Sequence, residues 1–586
     1  MIGMRHGQVS RRRRRRSGRP TREGKQIPLR LQSGCFVARC GGLVTALSYG
    51  ALTLCVFAPH ASRAQTLPPT PPTPGSVLES LPGNRPAPPS APAEVIFPQQ
   101  PGAVAGDRNG RRFQVHAFSF VGNTVFSAER LKRVVDRFLD LELNLYDLNT
   151  AAEAVTEFYH DRGYTLARAV IPPQRVEDGR VQIAIVEGRI GQVLFTGGRR
   201  YSEDFLAARV PSLAPGTLVT TDNLERDLLL LNDLPGLKAR ATMLPGQSFG
   251  LSDVQIKLEE RPLAGDVSVD NYGRRETGRS RLNAGLELNN PLGGGDQFTL
   301  RGVLTDQRLM RYKRLGYSLP VGSSGARLAM GYTEVNYDVA GAFAVLGLEG
   351  SAKTRDFGLQ VPEVRTRGHS RVVSFGLRDT ELVQKAFGTE VSHVHFSALT
   401  AGFADNRINE DSSATNWTFT TATNFARNTS GTSQTAEMGR FEGDINHQQS
   451  LGNGWDVYLR ANGVYSKDRL PDSEKFSIGG PGSVRAYLAS ELRGDSGYQG
   501  TAEFRKNVLV ARRPAILSLF WDVGTVIYKA PGFADDRKSI GGYGAGVQVF
   551  AAHDIQVKAE YARAANHYTS ADGEHSRFWL SLSAQF

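Results

Sequence analysis

Phe578-Trp579-Leu580-Ser581-Leu582-Ser583-Ala584-Gln585-Phe586 ends the sequence with strict alternation: Phe578, Leu580, Leu582, Ala584 and Phe586 on one face, Trp579, Ser581, Ser583 and Gln585 on the other. A period of two is a β-strand, because successive side chains point to opposite faces. Residues 555–561 repeat it, with Ile555, Val557, Ala559 and Tyr561 against Gln556, Lys558 and Glu560. One apolar and one polar face is what a transmembrane barrel strand requires, lipid touching one and the lumen the other. A soluble β-sandwich alternates too, so the pattern has to be weighed with its surroundings.

From 263 onward glycine, aromatics and alternation persist, and all four tryptophans, Trp417, Trp455, Trp521 and Trp579, lie there. At about 20 residues per strand and turn this stretch supplies roughly 16 strands, far more than one sandwich needs. An alternating strand that closes on an aromatic, Phe586, has the form of a barrel's closing strand. The polar stretches 406–416 and 428–433 suit external loops. The reading is a mainly β chain whose 263–586 form an outer-membrane antiparallel barrel.

The net charge of +12 comes from 70 Lys+Arg against 58 Asp+Glu in 586 residues. Residues 1–64 hold 13 of the basic residues and one acid, Glu23, so the rest of the chain is formally neutral. A nucleic-acid surface needs a surplus that survives removal of this segment. Cys35, Cys40 and Cys55 also fall inside it, leaving no disulfide, zinc cluster or thiol nucleophile downstream. Its arginine run 11–16, apolar stretch 41–58 and Ser62-Arg63-Ala64 before Gln65 read as an export signal cleaved between Ala64 and Gln65. The alternative is a membrane anchor, but Thr45, Ser48, Tyr49 and Thr53 interrupt a stretch near the lower limit of roughly 17–25 residues.

Residues 65–112 read as a linker, since 12 of the 29 prolines lie between 67 and 101 and favour extended polyproline geometry. Within it 76–81 has a capping serine and apolar spacing for about two helical turns; it is either a small plug or part of the linker. Residues 113–189 and 190–262 then carry one order of elements twice. The first has a strand at 115–121, a Ser127-capped helix to 138, a helix at 147–163, and strands at 165–171 and 181–186. The second has a strand at 192–196, helices at 202–210 and 221–232, and strands at 237–243 and 251–258. Two β-α-α-β-β modules of about 75 residues, each able to close one core, look like a docking arm.

Several motifs recur in order along this plan. They are Phe120-Val121-Gly122-Asn123-Thr124, Gly163-Tyr164-Thr165-Leu166-Ala167-Arg168-Ala169, Ile171-Pro172-Pro173-Gln174 and Val186-Glu187-Gly188 in the first module. Leu231-Asn232-Asp233-Leu234-Pro235-Gly236 and Leu244-Pro245-Gly246 follow in the second, then Asp270-Asn271-Tyr272-Gly273 and Asn290-Pro291-Leu292-Gly293 at the start of the barrel. In this order the chain resembles the outer-membrane transporters of two-partner secretion, the ShlB/FhaC/HecB (TpsB) haemolysin secretion/activation family. That resemblance implies two periplasmic POTRA domains and a 16-stranded barrel in a Gram-negative outer membrane. It implies export of one large exoprotein bearing an N-terminal secretion domain, in extended form. The further partners it implies are outer-membrane lipid and the barrel-assembly machinery that inserts the chain; it implies no cofactor, nucleotide or nucleic acid.

Gly482-Ser483-Val484-Arg485-Ala486-Tyr487 resembles the family's Val-Arg-Gly-Tyr signature, carried on a loop around 479–497 that folds back into the barrel, with Ala486 in place of the glycine. In Leu517-Ser518-Leu519-Phe520-Trp521-Asp522-Val523-Gly524 the odd positions form an apolar face, which puts Asp522 on the lumen side. Phe520-x-Asp522-x-Gly524 matches the family's barrel-wall motif. The expectation is a charge-assisted contact from Arg485 to Asp522 that locks the loop tip inside the barrel. The alternative is a solvated loop arginine and an ordinary pore-lining acid.

Gly273-Arg274-Arg275-Glu276-Thr277-Gly278-Arg279-Ser280 comes within one residue of a phosphate-cradling loop but lacks lysine and a following helix, and reads as the first hairpin turn. Gly541-Gly542-Tyr543-Gly544-Ala545-Gly546 reads as a strand with small lumen-facing residues. No metal spacing and no Gly-x-Ser-x-Gly elbow occur, so no catalytic or metal residue is assigned and the chain reads as no enzyme. Two rivals remain: a barrel-assembly insertase, expected to carry more modules, and a passive porin, which needs none.

Overall fold

The computed structural model describes residues 71–79, 81, 94–96, 107–431, 438–529, 534–551 and 554–586. The export signal with Ala64 and Gln65, the three cysteines and most of the linker lie outside the described residues.

In the first module Leu148, Ala151, Ala152, Val155 and Tyr159 recur at helical spacing along Leu145–His160, and all are buried. Asn144 and Asp147 cap that helix reciprocally, each side chain accepting the other's backbone N–H, which satisfies donors the first turn leaves open. The helix and its shorter neighbour Ala128–Val135 cover a sheet in which Arg180–Val186 lies between parallel Ala117–Val121 and antiparallel Arg168–Val170. The strand read over 115–121 is broken at His116. Both His116 N and Ala117 N donate to Gly179 O, and Phe113–Val115 pairs instead with Leu141–Leu143.

The second module packs Glu203–Ala207 and Thr221–Asn232 on strands Arg189–Thr196, Leu237–Pro245 and Leu251–Glu260. The outer edge of Leu237–Pro245 is taken by Glu94–Ile96, a linker segment running parallel to it. Nothing in a proline-rich composition signals that strand.

Only Arg261 and Pro262 separate this module from Leu263–Asp270, the first strand of a closed sixteen-stranded barrel. Each strand pairs antiparallel with the next, and Ser576–Gln585 returns to the first, from Asp266↔Gln585 to Asp270↔Ser581. Closure leaves no unpaired strand edge in lipid. The alternation sorts as expected: Phe578, Leu580 and Leu582 face outward while Trp579 is buried, and Leu517, Leu519, Trp521 and Val523 face outward while Phe520 and Asp522 are buried.

The stretch 406–416 is not external: it is the turn between Thr389–Ile408 and Ala414–Gly431 at the end of the barrel that adjoins the second module. Its polar residues close the turn on itself, Asn409 Nδ2 donating to Ser413 Oγ at 2.8 Å and Ser413 N to Asp411 Oδ1 at 2.9 Å. Such composition marks tight turns at either end of a barrel. Of 428–433, the first residues complete strand Ala414–Gly431 and the last two lie outside the described residues.

Candidate functional site

Between strands Trp455–Ser466 and Ser496–Val510 the chain turns back into the lumen. Phe476–Ile478 and Leu492–Gly494 pair antiparallel as the stem of this loop. It starts earlier than 479, and Ser496 and Gly497 already belong to the next wall strand. At the tip, Val484, Arg485, Ala486 and Tyr487 are all buried.

Arg485 is gripped on every side. Its Nε donates to Asp522 Oδ2 and its Nη2 to Asp522 Oδ1, both at 2.8 Å, a bidentate pair. Its Nη1 donates to Glu503 Oε1 at 2.6 Å and Glu560 Oε1 at 2.9 Å. The guanidinium carbon lies 3.4 Å from the centroid of the Phe520 ring. The backbone is held as well, Arg485 N donating to Asp522 Oδ2 at 3.2 Å and Trp579 Nε1 to Arg485 O at 2.7 Å. Three carboxylates around one cation would repel, but Arg505 Nε also donates to Glu503 at 2.9 Å and Lys558 lies 3.0 Å from Glu560. Charges therefore balance three against three, a condition for keeping ions away from water.

The remaining motif residues serve the fit. A Cβ on Gly524 would come within 3.0 Å of Ile478 in the loop stem. On the adjacent strand Asp536–Phe550, a Cβ on Gly542 would lie 2.5 Å from the Ala486 Cβ, and one on Gly544 2.5 Å from the Phe520 ring. The alanine that replaces the signature glycine is thus accommodated by a glycine on the wall, the register partner of Asp522. Tyr487 donates to Asn566 Oδ1 at 2.5 Å and packs edge-on against Tyr568, whereas nothing among the described residues crowds Gly482.

The sequence does not single out Glu503 and Glu560. Glu560 stands on the polar face of the 555–561 alternation, but which lumen carboxylates converge depends on strand register. The segment 76–81 does carry a helix, Pro74–Glu79, lying inside the barrel with Val77 in the lumen core. Arg493 of the loop stem ties it there: Nη1 donates to Thr73 Oγ1 at 3.1 Å and to Asp472 Oδ1 at 2.5 Å, and Nε is 3.5 Å from Glu79 Oε2. Asp472 in turn accepts from Gly75 N at 2.8 Å.

The family model described as haemolysin secretion/activation protein ShlB/FhaC/HecB matches residues 250–549, more than half of the chain. The chain belongs to this family. A ShlB-type POTRA domain model matches residues 113–188. Among curated relatives, the heme/hemopexin transporter protein HuxB of Haemophilus influenzae is 25% identical over 78% of this chain and 84% of its own length. The hemolysin transporter protein ShlB of Serratia marcescens is 25% identical over 60% of this chain and 65% of its own. The solved structure of CdiB from Escherichia coli has the same fold, with TM-score 0.66 at 20% identity over 85% of this chain and 94% of that one. This protein is therefore an outer-membrane transporter of the two-partner secretion type, its POTRA modules in the periplasm and the opposite barrel end at the cell surface.

Proposed function

We propose that this transporter exports one large exoprotein, of haemolysin, haemagglutinin or adhesin type and bearing an N-terminal secretion domain, in extended form and without nucleotide hydrolysis. Modules 113–189 and 190–262 receive the cargo and 263–586 form the pore. In the first module the outer edge of Ala117–Val121 has no neighbouring strand among the described residues, which suits addition of an extended cargo strand. Folding of the cargo outside the cell gives direction.

The observation that carries the reading is the seating of Arg485 on Asp522 inside the lumen. A pore wide enough for a chain needs closing at rest, and the loop acts as its lock, with helix Pro74–Glu79 as a plug. The test compares culture medium and outer membrane between the source bacterium and a deletion of this chain. Loss of one large surface or secreted protein, with other barrels unchanged, is expected; broad loss of barrels would mean an insertase.

A further inference from the structure

The seam that closes the barrel is held differently at its two ends. At the periplasmic end Gly265 and Phe586 exchange both backbone N–H···O bonds at 3.0 Å. Toward the cell surface the ladder between Leu263–Asp270 and Ser576–Gln585 finishes at Asp270↔Ser581, although the closing strand begins higher, at Ser576. On its other side the same first strand is paired along its whole length, Leu263–Asp270. Asn271 adds one step to the seam: its N donates to Leu580 O at 3.2 Å, its Oδ1 accepts from Leu580 N at 2.8 Å and its Nδ2 donates to Phe578 O at 2.9 Å.

Above that step the two edges meet through side chains on the lumen face. Tyr272 of the first edge and Trp579 of the last lie with ring centroids 5.9 Å apart at 84°, the edge-to-face arrangement that aromatic rings favour. Asp270 aims the tyrosine: its Oδ1 accepts from Tyr272 N at 2.9 Å, an Asx turn that bends the chain. That carboxylate is itself fixed by Arg281 Nε at 2.7 Å and Asn283 Nδ2 at 2.9 Å. The Arg281 guanidinium carbon lies 5.5 Å from the Tyr272 centroid and backs the ring. The Asp270-Asn271-Tyr272 run is thus one clasp, each residue holding a different part of the seam's surface end.

The other half of the clasp belongs to the lock. Trp579 is 4% exposed and is the register partner of Glu560, one of the carboxylates around Arg485. Its Nε1 donates to Arg485 O at 2.7 Å. An indole has a single N–H, and a buried one needs an acceptor; with the tip seated, the loop backbone supplies it and fixes the ring against Tyr272.

We propose that Trp579 and Tyr272 are positioning residues that tie closure of the seam's surface end to the seating of Arg485. When Arg485 leaves Asp522, the indole N–H loses its acceptor and turns toward water, the ring comes off Tyr272, and the first and last strands loosen where no ladder holds them. This rests on the lock reading above and adds that the lock acts on the barrel wall as well as on the lumen.

The test uses the full-length transporter in lipid bilayers with spin labels at Arg279→Cys and His575→Cys, exposed residues on either side of the seam; no natural cysteine follows Cys55. In a separate sample the mobility of a label at Gly482→Cys, where a Cβ meets nothing among the described residues, reports seating of the tip. Arg485→Ala is expected to free the tip label and lengthen the seam distance by about 5 Å, one strand spacing. Trp579→Phe keeps a ring against Tyr272 but offers Arg485 O no donor; in that background Arg485→Ala should free the tip and leave the seam distance where Trp579→Phe alone puts it. Tyr272→Ala should lengthen the distance with the tip still seated, and Tyr272→Phe should keep the native value. An unmoved seam in Arg485→Ala or Tyr272→Ala, or equal lengthening by Arg485→Ala with Trp and with Phe at 579, overturns the coupling and leaves the lock standing. A tip that stays seated in Arg485→Ala overturns the lock and the coupling with it.

Discussion

Asp233, the residue that caps helix Thr221–Asn232 in the second module, receives both Arg365 Nε and Nη2 at 2.7 and 2.8 Å from the end of barrel strand Glu349–Arg365. With Arg209 Nη2 donating to Gly322 O at 2.8 Å and Asn290 Nδ2 to Arg200 O at 3.1 Å, this pair fixes the arm on the barrel rim. Arg365→Ala is expected to loosen the arm by about 1–2 kcal/mol, less than for a fully dry pair because Asp233 is a third exposed. Broader spin-label distances between the second module and the rim would report it; an unchanged distribution would deny the pair that role.

At the loop tip, Arg485→Ala strands Asp522 with Thr501 Oγ1 at 2.9 Å as its remaining side-chain donor among the described residues. Removing one partner of a buried ion pair costs about 3–5 kcal/mol, enough to unseat the loop, so secretion should collapse. Asp522→Arg should abolish secretion, while combining it with Arg485→Asp should restore only part, because Glu503 and Glu560 still face the exchanged position. Cargo in the medium is the measurement; full activity of both single variants would dispose of the lock.

The contact between Gly542 and Ala486 gives a steric test that leaves every charge in place. Gly542→Ala puts two Cβ atoms 2.5 Å apart and should push the tip outward, costing about 1–3 kcal/mol as overpacking does. Ala486→Gly in the same chain removes one of those atoms and should restore seating. Channel conductance in planar bilayers should rise in the first and fall back in the second.

In the first module Glu187 accepts from Thr124 N at 2.7 Å, Val125 N at 2.8 Å and Tyr159 OH at 3.0 Å, and also from Thr124 Oγ1. Burial works against its charge, but these donors outweigh burial and hold the carboxyl below its ordinary value of 4.5. A lowered folded value means the stabilisation is complete above the unfolded value and lost as pH falls through the folded one. Burial, then the Glu187 hydrogen bond, raises the Tyr159 hydroxyl, so it remains a donor at neutral pH. Hydrogen exchange at Thr124 and Val125, corrected for intrinsic rates, should be constant from neutral pH down to about 4.5 and accelerate below it. Glu187→Gln should show weaker protection already at neutral pH and no such break.

Strand faces, the barrel, the two modules and the lumen position of Asp522 were legible in the sequence because alternation and helical spacing are local properties. Each follows from where one side chain points relative to the next along a single strand or helix. What surrounds Arg485 is not local. Glu503, Asp522, Glu560 and Trp579 stand 18, 37, 75 and 94 residues from it, and only the closing of sixteen strands in one register brings them to the same height. The linker strand Glu94–Ile96, paired about 146 residues ahead with Arg240–Thr242, depends likewise on a sheet edge formed elsewhere. The sequence by itself determined which face of each strand meets lipid or lumen. Tertiary structure alone decided which lumen groups meet, because their meeting depends on register across strands far apart in the chain.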